Sequence, residues 1–145
     1  MSEPAKLQKT LYTAHATAVG GREGHVKADD GAIDVELAIP AGMGGPGGAG
    51  TNPEQLFASG YAACFGSAVA FAARQKQLAP ESITIDASVP IGSIASGQFA
   101  LAVELKATLP GLSRDDALGL VEAAHRICPY SNATRGNIEV SISVV

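Results

Sequence analysis

The two cysteines, Cys64 and Cys128, are the residues of this 145-residue chain with the widest choice of chemistry. A thiolate is a nucleophile and a metal ligand, so two thiols can be an inert buried pair, part of a metal site, or a working redox pair. A permanent disulfide is not expected, because the opening run MSEPAKLQKT is polar and has no apolar signal core, which predicts a cytoplasmic protein with reduced thiols. The spacing of the cysteines leaves the three alternatives open.

The reactivity of Cys64 requires a positive charge from outside its own helix. That helix is predicted to be capped at Thr51 or Asn52, about 20 Å away, and the helix dipole acts only over the first turn. An apolar setting raises the pKa of a thiol, so without a cation Cys64 is an inert core residue. Arg22 lies in the glycine-flanked run GGREG and can reach into a pocket, although a solvated surface arginine fits the same pattern.

Glu54 fits two compatible roles. Thr51 and Glu54 have the spacing of a capping box, in which the carboxylate accepts a hydrogen bond from the backbone at the start of the helix. The same carboxylate can pair with an arginine and hold its guanidinium in place.

Other chemistries find weaker support in the spacing. His125-x-x-Cys128 is half of a zinc site, but the other half would require Cys64 with His15 or His25, and no second close ligand pair exists. A cysteine–histidine hydrolase needs a histidine beside Cys64, and the spacing selects none. We therefore expect no metal.

Composition predicts one globular domain over residues 1–145. Apolar residues make up 46% of the chain and charged residues 17%, with a net charge of −4, which disfavours nucleic acid and anionic membranes as partners. Residues 55–73 carry no charge over 19 positions, but their serines, glycines and alanines favour a buried core helix over a membrane span. The glycine-rich run 42–50 lacks the Lys-Ser/Thr ending of a phosphate-binding loop, and backbone freedom explains its glycines better.

Hydrophobic periodicity predicts an α+β fold, with antiparallel sheets around a buried central helix. The first helix is expected from Thr51 or Asn52 to about Gln77, and the second from Ser113 to Cys128, where the next residue is a proline. The predicted strands are residues 11–19, 25–39 with a hairpin turn at Asp29-Asp30-Gly31, 82–90, 99–109 and 138–145.

Both helices place a cysteine on an apolar face. On the first helix, aromatic and apolar residues surround the thiol at helical spacing: Phe57, Tyr61, Cys64, Ala68 and Phe71. The other side of this helix carries small residues that would let another backbone approach: Ser59, Ala62, Gly66, Ala70 and Ala73. On the second helix, the side with the second thiol is expected to face the core: Ala117, Leu120, Val121, Ala124 and Cys128.

Three runs of sequence closely resemble the organic hydroperoxide resistance family, which belongs to the superfamily of the osmotically induced protein C. They are YTAHATAVGGREG (12–24), GTNPEQLFASGYAACF (50–65) and AHRICPYSNATRGNI (124–138). The resemblance extends from about Leu11 to Val145 without large insertions. Where the family usually has aspartate, this chain has Glu23, which keeps the charge beside Arg22.

The resemblance implies a role for each candidate residue. Cys64 matches the peroxidatic cysteine and Cys128 the resolving cysteine, so a Cys64–Cys128 disulfide is expected during turnover. Arg22 matches the activating arginine, and Glu54 matches its carboxylate partner. Family members are cofactor-free homodimers that reduce organic and fatty-acid hydroperoxides and are re-reduced by dihydrolipoyl groups on lipoylated proteins.

In such an intertwined homodimer, Phe57, Tyr61 and Phe71 are expected to form an apolar wall for alkyl hydroperoxides. Glu54 and Cys64 are ten residues apart on one helix, roughly 15 Å along its axis, so one subunit cannot readily supply both to a small substrate. Antiparallel packing of two such helices would bring Glu54 of one subunit towards Cys64 of the other. The alternative from another class is a non-catalytic dimeric module that binds a hydrophobic ligand.

Overall fold

The computed structural model describes residues 3–145. The chain divides into two compact units, the first ending at Asn52 and the second running from Pro53 to Val145. The first unit contains an antiparallel sheet in the order β1-β2-β3, formed by Ala16–Val19, His25–Ala28 and Asp34–Glu36. The single domain over residues 1–145 stays a prediction.

The hairpin expected at Asp29-Asp30-Gly31 connects β2 and β3. Gly31 has a φ of 78°, and the backbone N–H of Ala32 donates to Asp30 Oδ1 at 2.9 Å, so the Asp side chain helps to close the turn. The first strand is shorter than predicted, because its pairing with β2 ends where Ala16 faces Ala28. Residues 11–15 therefore lie outside the sheet.

The second unit combines helices and strands in the order α1-β4-β5-β6-β7-α2-α3-β8. Their bounds are Pro53–Gln75, Thr84–Ser88, Ile91–Ser93, Phe99–Leu101, Val103–Thr108, Arg114–Ile127, Pro129–Thr134 and Val140–Val144. The α+β class is thus confirmed. The strand β5 was not predicted, since its three residues are too few to show an alternating pattern.

One pairing in the second unit differs from the predicted antiparallel sheets. The three-stranded sheet has the order β4-β7-β8, and β4 and β7 pair antiparallel. However, β8 pairs parallel to β7, with Leu105 facing Ile142. The helices α2 and α3 connect these two strands, and a connection of that length permits parallel pairing.

The helix α1 buries one face in the core of the second unit, where Tyr61, Phe65 and Val69 have no exposed surface. It packs against α2, α3 and β4. Among residues 3–145, α1 alone is long and apolar enough to cross a bilayer by length and composition. Its packed face agrees with the core helix that was predicted. That the sheets surround this helix in an intertwined homodimer stays a prediction.

The predicted aromatic stripe of α1 does not lie on one side of the core. Tyr61 and Ala68 are buried, Cys64 is half-buried, and Phe71 is 45% exposed. On the small-residue side, Gly66 faces Ile85, whose Cγ1 would lie 3.5 Å from an added Cβ. The helix therefore turns its thiol to the edge of the core.

The second predicted helix is confirmed in its bounds and its buried face. Ser113 caps α2, its Oγ accepting a hydrogen bond from the backbone N–H of Asp116 at 3.1 Å. The residues expected to face the core are all buried: Ala117, Leu120, Val121, Ala124 and Cys128. The helix α3 that follows was not predicted, although Pro129 suits the first position of a helix as well as it ends the previous one.

Candidate active site

The two cysteines lie next to each other. Cys128 Sγ is 3.5 Å from Cys64 Sγ, and both are free thiols. Cys64 comes from the middle of α1, and Cys128 occupies the junction of α2 and α3, where it ends one helix and begins the next. Its φ of −67° and ψ of 124° are extended, as expected for a residue before proline. A distance of 3.5 Å is a sulfur contact rather than a bond, and a small movement would allow a disulfide.

A buried hydrogen-bond network holds α3 against α1 beside this pair. Tyr61 Oη lies 2.8 Å from Ser131 Oγ and 3.0 Å from Thr134 Oγ1. Thr134 Oγ1 also donates to the Ser131 carbonyl at 3.3 Å. Because all three side chains are buried, these contacts satisfy polar groups that would otherwise be costly to bury. They therefore position the residue before α3, which is Cys128.

The environment of Cys64 within the second unit works against ionisation. Burial raises the pKa of the Cys64 thiol above the ordinary value, and the neighbouring Cys128 sulfur adds to the rise. A hydrogen bond from the backbone N–H of Tyr130 opposes this rise in pKa. The net direction is upward, so the requirement for a cation, inferred from the sequence, is also present in the structure.

A small apolar pocket of about 350 Å³ opens at Cys64. Its lining residues come from α1 and from the junction of α2 and α3: Cys64, Ser67, Ala68, Phe71, Ile127 and Pro129. Ile127 and Pro129 were not among the predicted site residues. Their positions directly before and after Cys128 could have predicted this, because any fold that brings Cys128 next to Cys64 also brings its neighbours there.

The predicted aromatic residues divide between the pocket and the core. Phe71 lines the pocket. Phe57 and Tyr61 instead form a cluster with Tyr130, with ring centroids 5.6 to 6.1 Å apart. Tyr61 has no exposed surface, and its hydroxyl forms hydrogen bonds within the protein. The substrate-binding roles expected for Phe57, Tyr61 and Phe71 stay predictions.

Arg22 and Glu54 belong to different units. Arg22 is half-buried on a short 3-10 turn, Gly21–Glu23, that connects β1 and β2 of the first unit. Glu54 lies in the first turn of α1 in the second unit, after Pro53 as the first helical residue. A carboxylate in this position favours the helix electrostatically. The roles of Arg22 and Glu54 in activating Cys64 stay predictions.

The zinc alternative finds no ligand cluster in the part of the chain that the structure describes. No group of three or more His, Cys, Asp and Glu side chains within residues 3–145 is arranged to hold a metal ion. His125 Nδ1 is buried without a hydrogen-bond partner among these residues. Burial and the charge of Arg135 lower the pKa of His125, which keeps its ring neutral.

A larger groove of about 470 Å³ lies elsewhere in the second unit, along β5 and β6 and beside Ile138. Its lining contains no thiol and no cation. This groove is larger than the pocket at Cys64, but it offers no cysteine to act as a nucleophile. The pocket at Cys64 is therefore the candidate active site.

Comparison with known proteins places the chain in a family. The OsmC-like protein family matches residues 45–143. The organic hydroperoxide resistance protein of Xanthomonas axonopodis pv. citri is 53% identical over 141 residues, which cover 97% of this chain and 99% of that protein. Two solved structures are also similar. An organic hydroperoxide resistance protein from Elizabethkingia anophelis is 50% identical with a TM-score of 0.90, covering 94% of this chain and 98% of that one. OhrB of Bacillus subtilis is 43% identical with a TM-score of 0.86, covering 94% and 100%. The chain belongs to the organic hydroperoxide resistance proteins of the OsmC-like family.

Proposed function

We propose that this protein is a thiol-dependent peroxidase that reduces organic hydroperoxides to alcohols, with Cys64 as the attacking thiolate and Cys128 as the resolving thiol. The observation that carries the proposal is the 3.5 Å separation of the two free sulfurs, one of which, that of Cys64, lines an apolar pocket. The names of the relatives, organic hydroperoxide resistance proteins, support the substrate class.

The reaction begins when the Cys64 thiolate attacks the terminal oxygen of the hydroperoxide. A sulfur–oxygen bond forms, the O–O bond breaks, and the alkoxide takes up a proton and leaves as the alcohol. Cys64 is then a sulfenic acid. The Cys128 sulfur attacks the Cys64 sulfur, so that a disulfide forms, the S–O bond breaks and water leaves with the proton from Cys128.

A dithiol of the dihydrolipoyl type completes the cycle. One of its sulfurs attacks the disulfide, and its second sulfur then displaces the protein and closes the oxidised reductant, which returns both cysteines to thiols. Cys128 has no exposed surface, whereas Cys64 is half-buried at a pocket, which supports Cys64 as the sulfur that the reductant reaches. We further propose that the protein works in the cytoplasm, where thiols are kept reduced.

The shape and chemistry of the pocket support alkyl hydroperoxides over hydrogen peroxide. Phe71, Ile127 and Pro129 offer apolar surface beside the reactive sulfur. An alkyl chain gains free energy when it leaves water for such a surface, at about 25 cal/mol per Å² buried. Hydrogen peroxide has no apolar surface to bury.

Ionisation of Cys64 is assigned to Arg22, held by Glu54. Since burial raises the pKa of Cys64, a guanidinium beside the sulfur is needed to stabilise the thiolate, and the same charge would polarise the O–O bond. We also propose a composite site in a homodimer, with Glu54 from one subunit and Cys64 from the other. Their ten-residue separation on the continuous helix α1 supports this arrangement.

The test uses reduced protein, an alkyl hydroperoxide such as tert-butyl hydroperoxide, and dihydrolipoamide as the reductant. Cys64→Ser should abolish turnover. One equivalent of hydroperoxide should remove both thiols of the wild type as an intramolecular disulfide. The matched variant Cys128→Ser should still lose the Cys64 thiol but form no internal disulfide. Wild-type turnover by Cys64→Ser, or thiols unchanged by the hydroperoxide, would contradict the proposal and favour the non-catalytic binding module.

A further inference from the structure

His25, the first residue of β2, lies between two carboxylates of β3. His25 Nδ1 is 2.7 Å from Glu36 Oε1, and His25 Nε2 is 2.5 Å from Asp34 Oδ1. A neutral imidazole carries one N–H, so it can donate to only one of the two oxygens. Only the protonated ring satisfies both contacts. The geometry therefore describes an imidazolium clamped between Asp34 and Glu36, which we call the His25 clamp.

The surroundings of the His25 clamp agree with this protonation state. The hydrogen bond to Glu36 and then that to Asp34 raise the pKa of His25 above its usual 6.5. The clamp is therefore complete at pH values below 6.5 and is lost as the pH rises through the raised pKa. Above that pKa the neutral ring has one N–H and keeps one of the two hydrogen bonds. Its other nitrogen then faces a carboxylate oxygen without a proton between them.

Register identifies the charged groups that share the face of the sheet with His25. Side chains alternate along a strand, so the register places the facing residues as follows: Val19 and Thr17 on β1, Lys27 on β2, and Asp34 and Glu36 on β3. The residues from β1 do not titrate. Lys27 adds a positive charge to this face, while the two carboxylates favour protonation of His25 and lie in direct contact with it.

The His25 clamp borders the turn that carries Arg22. Gly24, the residue before His25, donates its N–H to the Gly21 carbonyl at 3.3 Å. The Gly24 carbonyl in turn accepts a hydrogen bond from the N–H of Leu37, the residue after Glu36, at 2.8 Å. The last pairing of β2 with β3 therefore sets the base of the Arg22 turn, and the His25 clamp reinforces that pairing.

The Arg22 turn depends on glycine at three positions. Gly20 and Gly21 have φ values of 83° and 58°, which residues other than glycine rarely adopt. A Cβ at Gly24 would lie 1.7 Å from the Val19 carbonyl oxygen, so only glycine fits there. Because the turn leaves β1 and leads directly into β2, its orientation depends on the ends of these two strands.

We propose that His25 is a positioning residue for Arg22: the protonated His25 clamp holds the Arg22 turn in its active orientation, and deprotonation releases it. This inference rests on the proposed peroxidase function, in which Arg22 activates Cys64. It predicts a loss of peroxidase activity on the alkaline side that originates at His25 and not at the cysteines.

The experiment compares His25→Arg and His25→Gln with the wild type between pH 6 and pH 9. Arginine keeps its charge over this range and can donate to both carboxylates, whereas glutamine cannot replace the imidazolium. The measured quantity is kcat/KM for an alkyl hydroperoxide, expressed as the ratio of variant to wild type, so that ionisation of Cys64 largely cancels. His15→Gln is the matched control, because His15 is the other histidine of the first unit and is not part of the His25 clamp.

The inference expects opposite pH profiles for the two variants. The ratio of kcat/KM for His25→Arg to that of the wild type should stay near one at acid pH and rise to about ten at alkaline pH. This change is smaller than the roughly 100-fold loss of rate that misplacing a catalytic group by about 1 Å can cause. The His25→Gln ratio should be low at acid pH and approach one at alkaline pH. His15→Gln should follow the wild type throughout.

A second readout does not depend on activity. In NMR spectra of the wild type, the backbone amide of Leu37, bonded to Gly24, should shift with the same midpoint as the His25 ring, and this shift should disappear in His25→Gln. Flat ratios for both variants, or a Leu37 amide that does not respond to His25, would overturn the inference. A wild type without peroxidase activity would instead contradict the proposed function and remove the basis of the inference.

Discussion

Cys64 has an environment that stabilises the thiol and a proposed reaction that requires the thiolate. Burial and the neighbouring sulfur of Cys128 raise its pKa, and the backbone N–H of Tyr130 compensates only in part. Below its pKa, the reactive fraction of a thiol increases about tenfold for each unit of pH. The alkylation rate of Cys64 therefore reports whether a neighbouring positive charge increases its thiolate fraction.

At this scale we expect Arg22→Gln to slow the alkylation of Cys64. A positive charge beside an ionisable thiol commonly favours its thiolate tenfold or more, so removal of Arg22 should reduce the iodoacetamide rate at pH 7 about tenfold or more. Cys128 has no exposed surface and should not react in the folded protein. The rate is measured by mass spectrometry of the alkylated protein as a function of pH.

The control for this prediction is Lys9→Gln, which removes one positive charge from an exposed position of the first unit. It should leave the alkylation rate unchanged, because exposed charges are screened by solvent and salt. Equal rates for Arg22→Gln and the wild type would show that Arg22 does not ionise Cys64.

At the scale of the elements, the short helix α3 decides where the second sulfur lies. Tyr61 on α1 joins Ser131 and Thr134 on α3 through its hydroxyl, and the extended Cys128 precedes the helix. The run CPYSNATR therefore has a structural explanation in addition to its cysteine: two of its hydroxyl residues attach α3 to α1.

Tyr61→Phe is expected to destabilise the protein by about 1–3 kcal/mol, since it leaves the buried Ser131 and Thr134 hydroxyls without their common partner. Urea unfolding followed by circular dichroism gives this difference. The same variant should slow formation of the Cys64–Cys128 disulfide after oxidation, because α3 is held less firmly.

Tyr12→Phe provides the comparison, because Tyr12 is 78% exposed and its loss of a hydroxyl should change stability by less than about 0.5 kcal/mol. If Tyr61→Phe is as stable as Tyr12→Phe, the network contributes little to the placement of α3.

At the scale of the whole molecule, the first unit exposes much apolar surface. Of residues 3–52, Leu37 is the only buried hydrophobic residue. Leu11 and Val19 are 88% and 71% exposed, and Tyr12 is exposed as well. Apolar surface of this extent is typical of an interface, which supports the proposed intertwined homodimer.

On α1, exposed residues recur every four positions, and most are small: Gln55, Ser59, Ala63, Ser67 and Phe71. Such a stripe is suited to close packing against a second helix. It supports the antiparallel pairing of two α1 helices that the composite site requires.

A complementation experiment tests this arrangement. Heterodimers of Cys64→Ser with Glu54→Gln should regain up to half of the wild-type activity per dimer, since one of two sites would contain both residues. The matched negative control is Cys64→Ser with Cys128→Ser. The two sulfurs meet within one chain, so neither subunit of that heterodimer has a complete pair. Subunit exchange is verified by mass spectrometry, and exchanged but inactive Cys64→Ser/Glu54→Gln heterodimers would exclude the composite site.

Local sequence patterns were sufficient to predict the α+β class, the two long helices and the buried face of the second helix. These features depend on local rules: hydrophobic spacing, the Ser113 cap and the proline after Cys128. The runs around Arg22, Cys64 and Cys128 carry the resemblance to the family. Each of these signals lies within a short stretch of chain.

The contacts between distant residues could not be predicted from local sequence patterns. Cys64 and Cys128 are 64 positions apart, and no periodicity relates them. The same is true of Tyr61 with its two hydroxyl partners on α3, of the parallel pairing of β7 and β8, and of Ile127 and Pro129 at the pocket. The physical reason is that such contacts are set by how the elements pack, and packing depends on side chains distant in sequence.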